Sequence, residues 1–319
     1  MTIRIAALGI AAALASAPVA AQELSIATGG TGGVYFPYGG GVGEVINRHV
    51  EGASGSAEVT GASVENVALV SRGDSDLALA LADTVYQAFH GEGAFEGRQV
   101  DEIRALMSIY PNAVQIVTLA DSGITSLEDL RGQRVSVGAP GSGTEVSAQT
   151  LLEANGITYD DFSPERLNFN ETADALRDGD IAAGFWSVGP PTSSIMNLAT
   201  TRSIAIIPMT DEEIANAVEV EPTFAPYTLR AGMYDGMDEP VQTISTPNVM
   251  IAHEDMDEEL VYNIVRAIYE NVDELIAIHP AANDTTPEFS IASTPIPYHP
   301  GALRYLEEIG MTVQDHQRP

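Results

Sequence analysis

The sequence contains no cysteine and no lysine, so all 14 of its basic residues are arginine. The absence of cysteine excludes thiol nucleophiles, thiolate zinc sites and iron–sulfur clusters. The six histidines are scattered along the chain, and no His-x-x-x-His pair supports a zinc enzyme. We therefore expect neither a metal site nor a cofactor.

Positive charge is scarce, because 45 acidic residues stand against those 14 arginines and give a net charge of −31. A chain this acidic repels nucleic acid and anionic lipid, so neither is an expected partner. A solvated acidic surface explains the excess. A calcium site is the sharper alternative, but no Asp-x-Asp-x-Asp-Gly loop of the EF-hand type supports it.

No segment has the roughly 20 apolar residues that a membrane-spanning helix needs. The first 21 residues combine Arg4, the apolar run 5–14 and the small residues Val19-Ala20-Ala21. This order is typical of a secretory signal peptide cut after Ala21. We expect residues 1–21 to be removed and the mature protein to be periplasmic; a membrane anchor is the alternative reading of the same run.

Short apolar strands alternate with amphipathic helices through most of the mature sequence, which predicts an α/β fold with mostly parallel sheets. One strand–helix series occupies roughly the first hundred residues, and a second begins near residue 115. Two series predict two lobes. We assign residues 22–112 and 245–319 to lobe I and residues 113–244 to lobe II.

The first candidate site is the turn Thr28–Gly33, which follows a predicted strand and precedes a predicted helix. Glycines let the backbone approach a ligand closely, and the free amides at a helix start attract anions. The turn lacks the Gly-Lys-Ser/Thr ending of a P-loop and the Gly-x-Gly-x-x-Gly pattern of dinucleotide sites. The predicted ligand-binding residues are Gly30, Thr31, Gly32 and Tyr35. Simple helix capping is the alternative, and Tyr35 could equally belong to the core.

A second turn of the same kind lies at the equivalent place in the second series, between a predicted strand and a helix over 144–154. Ser142 and Glu145 have the spacing of a capping box. Open α/β sheets bind ligands outside the carboxyl ends of their strands, so two such turns facing each other would form a cleft suited to a small carboxylate. The ligand-binding residues predicted here are Gly141, Ser142, Gly143 and Thr144.

Five further residues are candidates with equally good structural explanations. Ser63 reads as the N-cap of a helix, and Asn66 either contacts a ligand or completes that cap. Asp83, at the end of a predicted strand, either accepts a ligand amine or forms a turn. Trp186, the only tryptophan, is either core or a wall of the cleft. Pro190, in the Gly189-Pro190-Pro191 turn, would lie beside it.

Signatures of catalysis are weak. No Gly-x-Ser-x-Gly elbow is present, and Ser142 has no histidine and aspartate placed to activate it. In a chain with this many carboxylates, a pair of them carries little information. We therefore predict no catalytic residues and no enzymatic activity.

These segments resemble the TAXI family of solute receptors, which serve tripartite ATP-independent periplasmic (TRAP) transporters. The resemblance rests on Thr28–Tyr35, on Ser63-Val64-Glu65-Asn66, on Gly138–Thr144, on Phe185-Trp186 and on the closing stretch His299–Tyr305, and it covers nearly all of the mature chain. Residues 123–138 resemble a stretch common to many solute receptors.

The resemblance implies a type II periplasmic-binding-protein fold, in which two lobes joined by a hinge close on a ligand and deliver it to TRAP membrane subunits. It implies organic-acid ligands of the glutamate-like or 2-oxoglutarate-like kind. By position, it carries over these cleft residues: Thr31, Tyr35, Asn66, Ser142, Gly143 and Thr144.

We accordingly predict a monomeric receptor that holds one small mono- or dicarboxylate between its lobes. Backbone amides, hydroxyls and one arginine would bind the carboxylate, and Trp186 or Tyr35 would cover the apolar part. A ligand-sensing module that docks on a signalling receptor is the alternative, and a periplasmic enzyme of α/β type is a more distant one.

Overall fold

A computed structural model describes residues 22–319, in which strands and helices alternate as an α/β protein. The predicted signal peptide, residues 1–21, lies outside the described residues. The strands are β1 (Gln22–Ala27), β2 (Ala53–Glu58), β3 (Leu77–Leu81), β4 (Ile103–Leu119), β5 (Arg134–Ser136), β6 (Ser163–Glu165), β7 (Ala183–Val188), β8 (Ile204–Ile206), β9 (Ala225–Leu229) and β10 (Val241–His253).

The helices flank these strands, and short 3-10 turns join several of them. The helices are α1 (Tyr35–His49), α2 (Ser63–Ser71), α3 (Ala82–His90), α4 (Gly143–Ala154), α5 (Phe169–Asp178), α6 (Ser193–Ala199), α7 (Asp211–Val220), α8 (Glu258–Glu270), α9 (Val272–Ile278), α10 (Pro287–Ser293) and α11 (Pro300–Glu308). In the described part of the chain, no helix combines the length and the apolar character needed to cross a bilayer.

The strands form one curled, mixed sheet in the order β2-β1-β3-β10-β4-β7-β5-β6, with β8 paired to β4 and β9 paired to β10. The β2-β1-β3 and β7-β5-β6 groups are parallel, whereas β10 and β4 run antiparallel to each other. Every residue of β3 is buried, as expected for a strand whose two faces are both covered by helices. The predicted α/β fold is therefore confirmed, although the sheet is mixed where the two long strands run antiparallel.

Two long strands pass from one half of the sheet to the other. β4 pairs with β10 up to Ala113, opposite Ser245, and continues alongside β7 and β8 to Leu119. β10 pairs with β9 over 241–245 before it reaches β3. The chain thus crosses between the halves within continuous strands. The assignment of the lobes to 22–112 with 245–319 and to 113–244 stays a prediction.

Apolar side chains form two clusters, and the larger one extends across both halves. The larger surrounds β1, β3 and the long strands, includes Ile26 and Met250, and continues into the other half through Leu176 and Trp186. The smaller lies around β5, β7 and α4 and includes Val135 and Phe185. Most buried apolar residues of the two long strands belong to the larger cluster, so the core is continuous where the chain crosses between the halves.

Several elements differ from their sequence predictions. The sequence pattern favours a strand over Glu58–Thr60, but the strand lies at 53–58, because the Ala- and Ser-rich segment pairs with β1 despite its weak apolar pattern. The apolar spacing over 260–278 predicts one long helix, but the helix breaks at Asn271. Asn271 ends α8, and its side chain donates a hydrogen bond to the Ala267 carbonyl. Helix α3 was not predicted, since β3 runs into it without an intervening turn.

Candidate functional site

A cavity of about 360 Å³ lies between the two halves of the molecule, outside the carboxyl ends of the strands. Both glycine-containing turns contribute to its wall, so the structure brings together the two segments that the sequence singled out. The lining residues are Gly29, Gly30, Gly33, Val34, Tyr35, Val59, Thr60, Gly61, Ala62, Ser63, Leu81, Asn112, Ala139, Pro140, Ser142, Gly143, Thr144, Asn168, Phe169, Glu171, Ser187 and Val188.

Four helices begin at this cavity. Its wall includes the first residues of α1 and α2 from one half and those of α4 and α5 from the other. The N-caps of α1 and α2, Val34 and Ala62, supply no side-chain hydrogen bond to the helix. Each helix N-terminus carries roughly half a positive charge, which favours an anion in the space between. The caps Ser142 and Asn168 already occupy some of the amides of α4 and α5.

The first turn contributes unevenly. Gly30 and Tyr35 line the cavity, whereas Thr31 and Gly32 lie outside the lining. Thr31 is exposed, and the carbonyl oxygen of Gly32 accepts a hydrogen bond from Ser193 Oγ at 3.2 Å. A Cβ atom at Gly32 would stand 2.4 Å from Asn170 Oδ1, so glycine permits the contact between the halves.

The second turn faces the first. Ser142 caps α4 by accepting the Glu145 amide at 3.2 Å, as predicted, and Ser142, Gly143 and Thr144 all line the cavity. A Cβ at Gly143 would be 2.5 Å from Ser63 Oγ, across the cleft. The halves therefore already touch at this point, and only a residue without a side chain fits there.

Gly141 lies outside the lining but joins the halves. Its carbonyl oxygen accepts hydrogen bonds from the amides of Val64 and Glu65, at 3.1 and 3.3 Å, in the first turn of α2. These bonds occupy part of the α2 N-terminus. They also join the two halves in the described conformation, with the turn of one half bound to the helix start of the other.

The predicted capping role of Ser63 is wrong. Ala62 is the N-cap, with a left-handed φ of +79°, and Ser63 Oγ accepts the Leu81 amide at 3.0 Å. Ser63 itself lines the cavity, but Asn66 does not. The Asn66 amide nitrogen donates to the Thr28 and Leu79 carbonyls, both at 2.7 Å, so this side chain ties β1 to β3.

Asp83 also lies outside the lining, in the first turn of α3 rather than at the end of a strand. It is fully buried and accepts a hydrogen bond from Ser147 Oγ of α4 at 2.5 Å. Burial, with a smaller contribution from the nearby Glu221 carboxylate, raises the pKa of Asp83 to about 7. The residue connects the two halves behind the cavity.

Trp186 does not form the wall of the cleft, and neither does Pro190. Trp186 is fully buried, donates from Nε1 to Ser194 Oγ at 3.1 Å, and stacks on Phe169 with ring centroids 6.0 Å apart. Phe169 lines the cavity instead. Successive residues of a strand point to opposite faces, so β7 presents Ser187 rather than Trp186 to the cavity, and Val188 at the end of the strand also lines it.

Sequence reasoning missed Ser187. Ser187 lines the cavity and is only 4% exposed. Its Oγ atom has no hydrogen-bond partner within the protein. A buried hydroxyl without a partner is costly, so Ser187 Oγ is a candidate to bind a ligand in the cavity. The alternation along Phe185-Trp186-Ser187 could have revealed it, had the strand's inward face been assigned correctly.

A chain of hydrogen bonds runs behind the cavity through both long strands. Tyr35 OH donates to Asn248 Oδ1 at 2.5 Å, and Asn248 Nδ2 donates to Asn112 Oδ1 at 2.8 Å. Asn112 Nδ2 then donates to the Ser187 carbonyl at 3.0 Å. Burial raises the pKa of Tyr35 well above its ordinary value, so this hydroxyl stays protonated and acts as a donor.

No arginine or histidine is among the residues that line the cavity, so the predicted arginine partner for a carboxylate is not found there. Glu171 is the only charged side chain in the lining, and its Oε2 accepts the Asn168 amide in the capping box of α5. Across residues 22–319, histidine and carboxylate side chains form no group of three or more that could hold a metal ion.

The chain belongs to the NMT1-like family, whose model matches residues 26–310. This match covers nearly the whole of the described structure, including both turns and the cavity between them. Membership agrees with the general part of the sequence interpretation. The match by itself does not identify the chain as a TAXI receptor.

Solved structures of low sequence identity share the fold. PhnD1 from Prochlorococcus marinus, in complex with methylphosphonate, superposes with a TM-score of 0.55 and 11% identity over 83% of this chain and 91% of that one. A protein from Bordetella bronchiseptica superposes with a TM-score of 0.53 and 19% identity over 92% of this chain and 90% of that one. The alkanesulfonate-binding protein SsuA from Xanthomonas axonopodis pv. citri, bound to MOPS, has a TM-score of 0.47 and 12% identity over 83% of each chain. The first two place this chain in the fold of the two-lobed periplasmic binding proteins.

Proposed function

We propose that this protein is an extracytoplasmic solute receptor that binds one small organic acid between its lobes. The observation that carries the proposal is the meeting of four helix N-termini at a single cavity between the lobes. Amides and helix dipoles can hold an anion without any cationic side chain. The unpartnered Ser187 hydroxyl in the same wall adds an independent donor.

Closure of the lobes would sequester the ligand. The carbonyl of Gly141 bonds to α2, and Gly143 fits against Ser63, so the two lobes meet at the cavity rim. A ligand that contacts both sides binds the closed state better than the open one and shifts the population toward it. The two long strands, β4 and β10, would act as the hinge.

The receptor would work outside the cytoplasm and deliver its ligand to the membrane subunits of a TRAP transporter. Membership of the NMT1-like family and the periplasmic-binding-protein fold support a receptor role, and the resemblance to TAXI receptors supports this kind of transporter. The same resemblance suggests glutamate-like or 2-oxoglutarate-like ligands. We propose that the receptor acts as a monomer and has no enzymatic activity.

The decisive experiment is mass spectrometry of the small molecule released when the purified protein is denatured, followed by thermal unfolding with that molecule added back. An organic anion that raises the melting temperature with concentration, as mass action requires, supports the proposal. A protein that releases nothing and whose melting temperature no organic acid or amino acid changes contradicts it.

Delivery needs its own test. Proteoliposomes that contain TRAP membrane subunits from the same organism should take up labelled ligand only when the receptor is present. Uptake that is independent of the receptor would contradict delivery and favour the alternative, a sensing module that docks on a signalling receptor.

A further inference from the structure

The cavity is poor in polar groups that are free to bind a ligand. Asn112 uses its side chain in the chain of hydrogen bonds behind the cavity. Thr60 Oγ1 donates to Asn66 Oδ1 at 2.6 Å and accepts the Ala62 amide at 3.1 Å. The polar groups that remain free lie at the helix starts and at Ser187 Oγ. Together they form one anion-binding region.

Charge in the wall is equally restricted. A dicarboxylate has a second anionic group, yet no arginine or histidine lines the cavity to meet it. An amino acid has an ammonium group, yet the one lining carboxylate, Glu171, is exposed and engaged with the Asn168 amide. Asp83, the buried carboxyl nearby, faces Ser147 instead of the cavity. Burying a second charge without a partner is strongly unfavourable, because the charge loses its water and gains no compensating contact.

The rest of the wall is apolar and belongs to both lobes. Val34 and Leu81 line it from one side, and Val188 and Phe169 from the other. Stacking on the buried Trp186 fixes the ring of Phe169. A rigid aromatic wall opposite aliphatic side chains suits a hydrocarbon body rather than a charged one.

We propose that the ligand is a monocarboxylate with an apolar body and no second charge, an inference that rests on the proposed receptor function. The carboxylate lies at the converging helix starts and accepts a hydrogen bond from Ser187 Oγ. The body packs against Phe169, Leu81 and Val188. The lining thus selects against glutamate-like and 2-oxoglutarate-like acids.

The test is isothermal titration of the full mature chain, stripped of bound small molecules, with 4-methylpentanoate, glutarate and glutamate. We expect 4-methylpentanoate to bind at least about tenfold more tightly than either of the others, a difference of about 1.4 kcal/mol. Glutarate or glutamate binding as tightly as 4-methylpentanoate would overturn this inference and leave the receptor function intact. Failure of all three, and of any other organic anion, would overturn both.

Two variants separate the two ends of the ligand. Phe169→Ala should weaken binding of 4-methylpentanoate about tenfold and of acetate less than about twofold, because it removes only apolar contact. Ser187→Ala should weaken both acids by similar factors. Phe89→Ala, a half-buried phenylalanine outside the cavity lining, is the control for general destabilisation and should change neither affinity. Equal losses for both acids in Phe169→Ala would contradict the apolar assignment.

Discussion

Asn248 of β10 donates a hydrogen bond to Asn112 of β4 across 2.8 Å, where the two strands that join the lobes run side by side. Both side chains are buried, and both bond further groups, Tyr110 O and Ser187 O respectively. The pair links the crossing strands to the wall of the cavity. A buried network is valuable only while every member keeps its partner.

Asn248→Ala should therefore lower the free energy of unfolding by about 1–3 kcal/mol, because it leaves Tyr35 OH and Asn112 Oδ1 without partners. Chemical denaturation measures the change. Asn197→Ala, at an exposed position of α6, is the matched control and should change stability by less than about 0.5 kcal/mol. Similar losses in both variants would argue against the importance of the network.

Gly143→Ala should weaken ligand binding at least about tenfold while the protein remains folded, because a side chain there would collide with Ser63 and Leu81 only when the lobes are closed. Calorimetric titration with the identified ligand measures the loss. Gly40→Ala in α1 is the control, since no atom lies within 4 Å of the added Cβ. It should bind normally. An unchanged affinity in Gly143→Ala would count against closure at this contact.

Ser142→Ala and Thr210→Ala form a pair that separates capping from binding. Each removes the N-cap of a helix, α4 or α7, and should cost about 1 kcal/mol of stability. Only Ser142 lines the cavity, so only its variant should bind ligand more weakly. Equal affinities in the two variants would show that Ser142 is purely a structural residue.

Asp83 should make stability fall as the pH rises from about 4 to 7. Its pKa is raised to about 7 in the folded protein and is near 3.8 when exposed, so the folded state binds more protons in this interval. The contribution is fully present below the unfolded pKa and is lost as the pH rises through the folded one. The slope from one such group reaches at most about 1.4 kcal/mol per pH unit.

Urea denaturation of the wild type and of Asp83→Asn, at half-unit steps from pH 4 to 8, isolates this contribution as the difference between the two curves. The variant should lose stability less steeply with rising pH. Asp121→Asn, at an exposed position, controls for removing one negative charge from an acidic chain. Parallel curves for the wild type and Asp83→Asn would contradict the raised pKa.

Ligand association should become faster as salt is added. The protein carries a net charge of −31 and, by our proposal, binds an anion, so long-range repulsion slows the encounter at low ionic strength. Trp186 is the only tryptophan and stacks on a lining residue, which gives a fluorescence signal for stopped-flow measurement. An association rate that falls with salt would indicate a local positive field stronger than the global charge.

Much of the architecture could be predicted from the residues in order along the chain. The apolar run at 77–81 and the glycine turns at 28–33 and 138–143 mark strands followed by helices, because these features act over a few neighbouring residues. The N-cap role of Ser142 was equally local. Helix α3 escaped prediction because its start at Ala82 has no capping or turn residue to separate it from β3.

The pairing of strands that lie far apart in the sequence depends on contacts that only the folded chain makes. The weakly apolar segment 53–58 forms a strand only because β1 lies beside it, and β4 continues through Pro111 only because β10 and β7 supply its partners. Neither neighbour can be recognised from local composition, since the paired segments are far apart in the sequence.

The sequence by itself determined that the protein is an acidic α/β chain with two anion-suited turns, because charge, strand–helix alternation and glycine positions are properties of nearby residues. Only the tertiary structure decided which side chains face the cavity. Trp186 and Asn66 turned away from it, and Phe169 and Ser187 turned toward it, because the face that a strand or helix start presents is fixed by what packs on its other side.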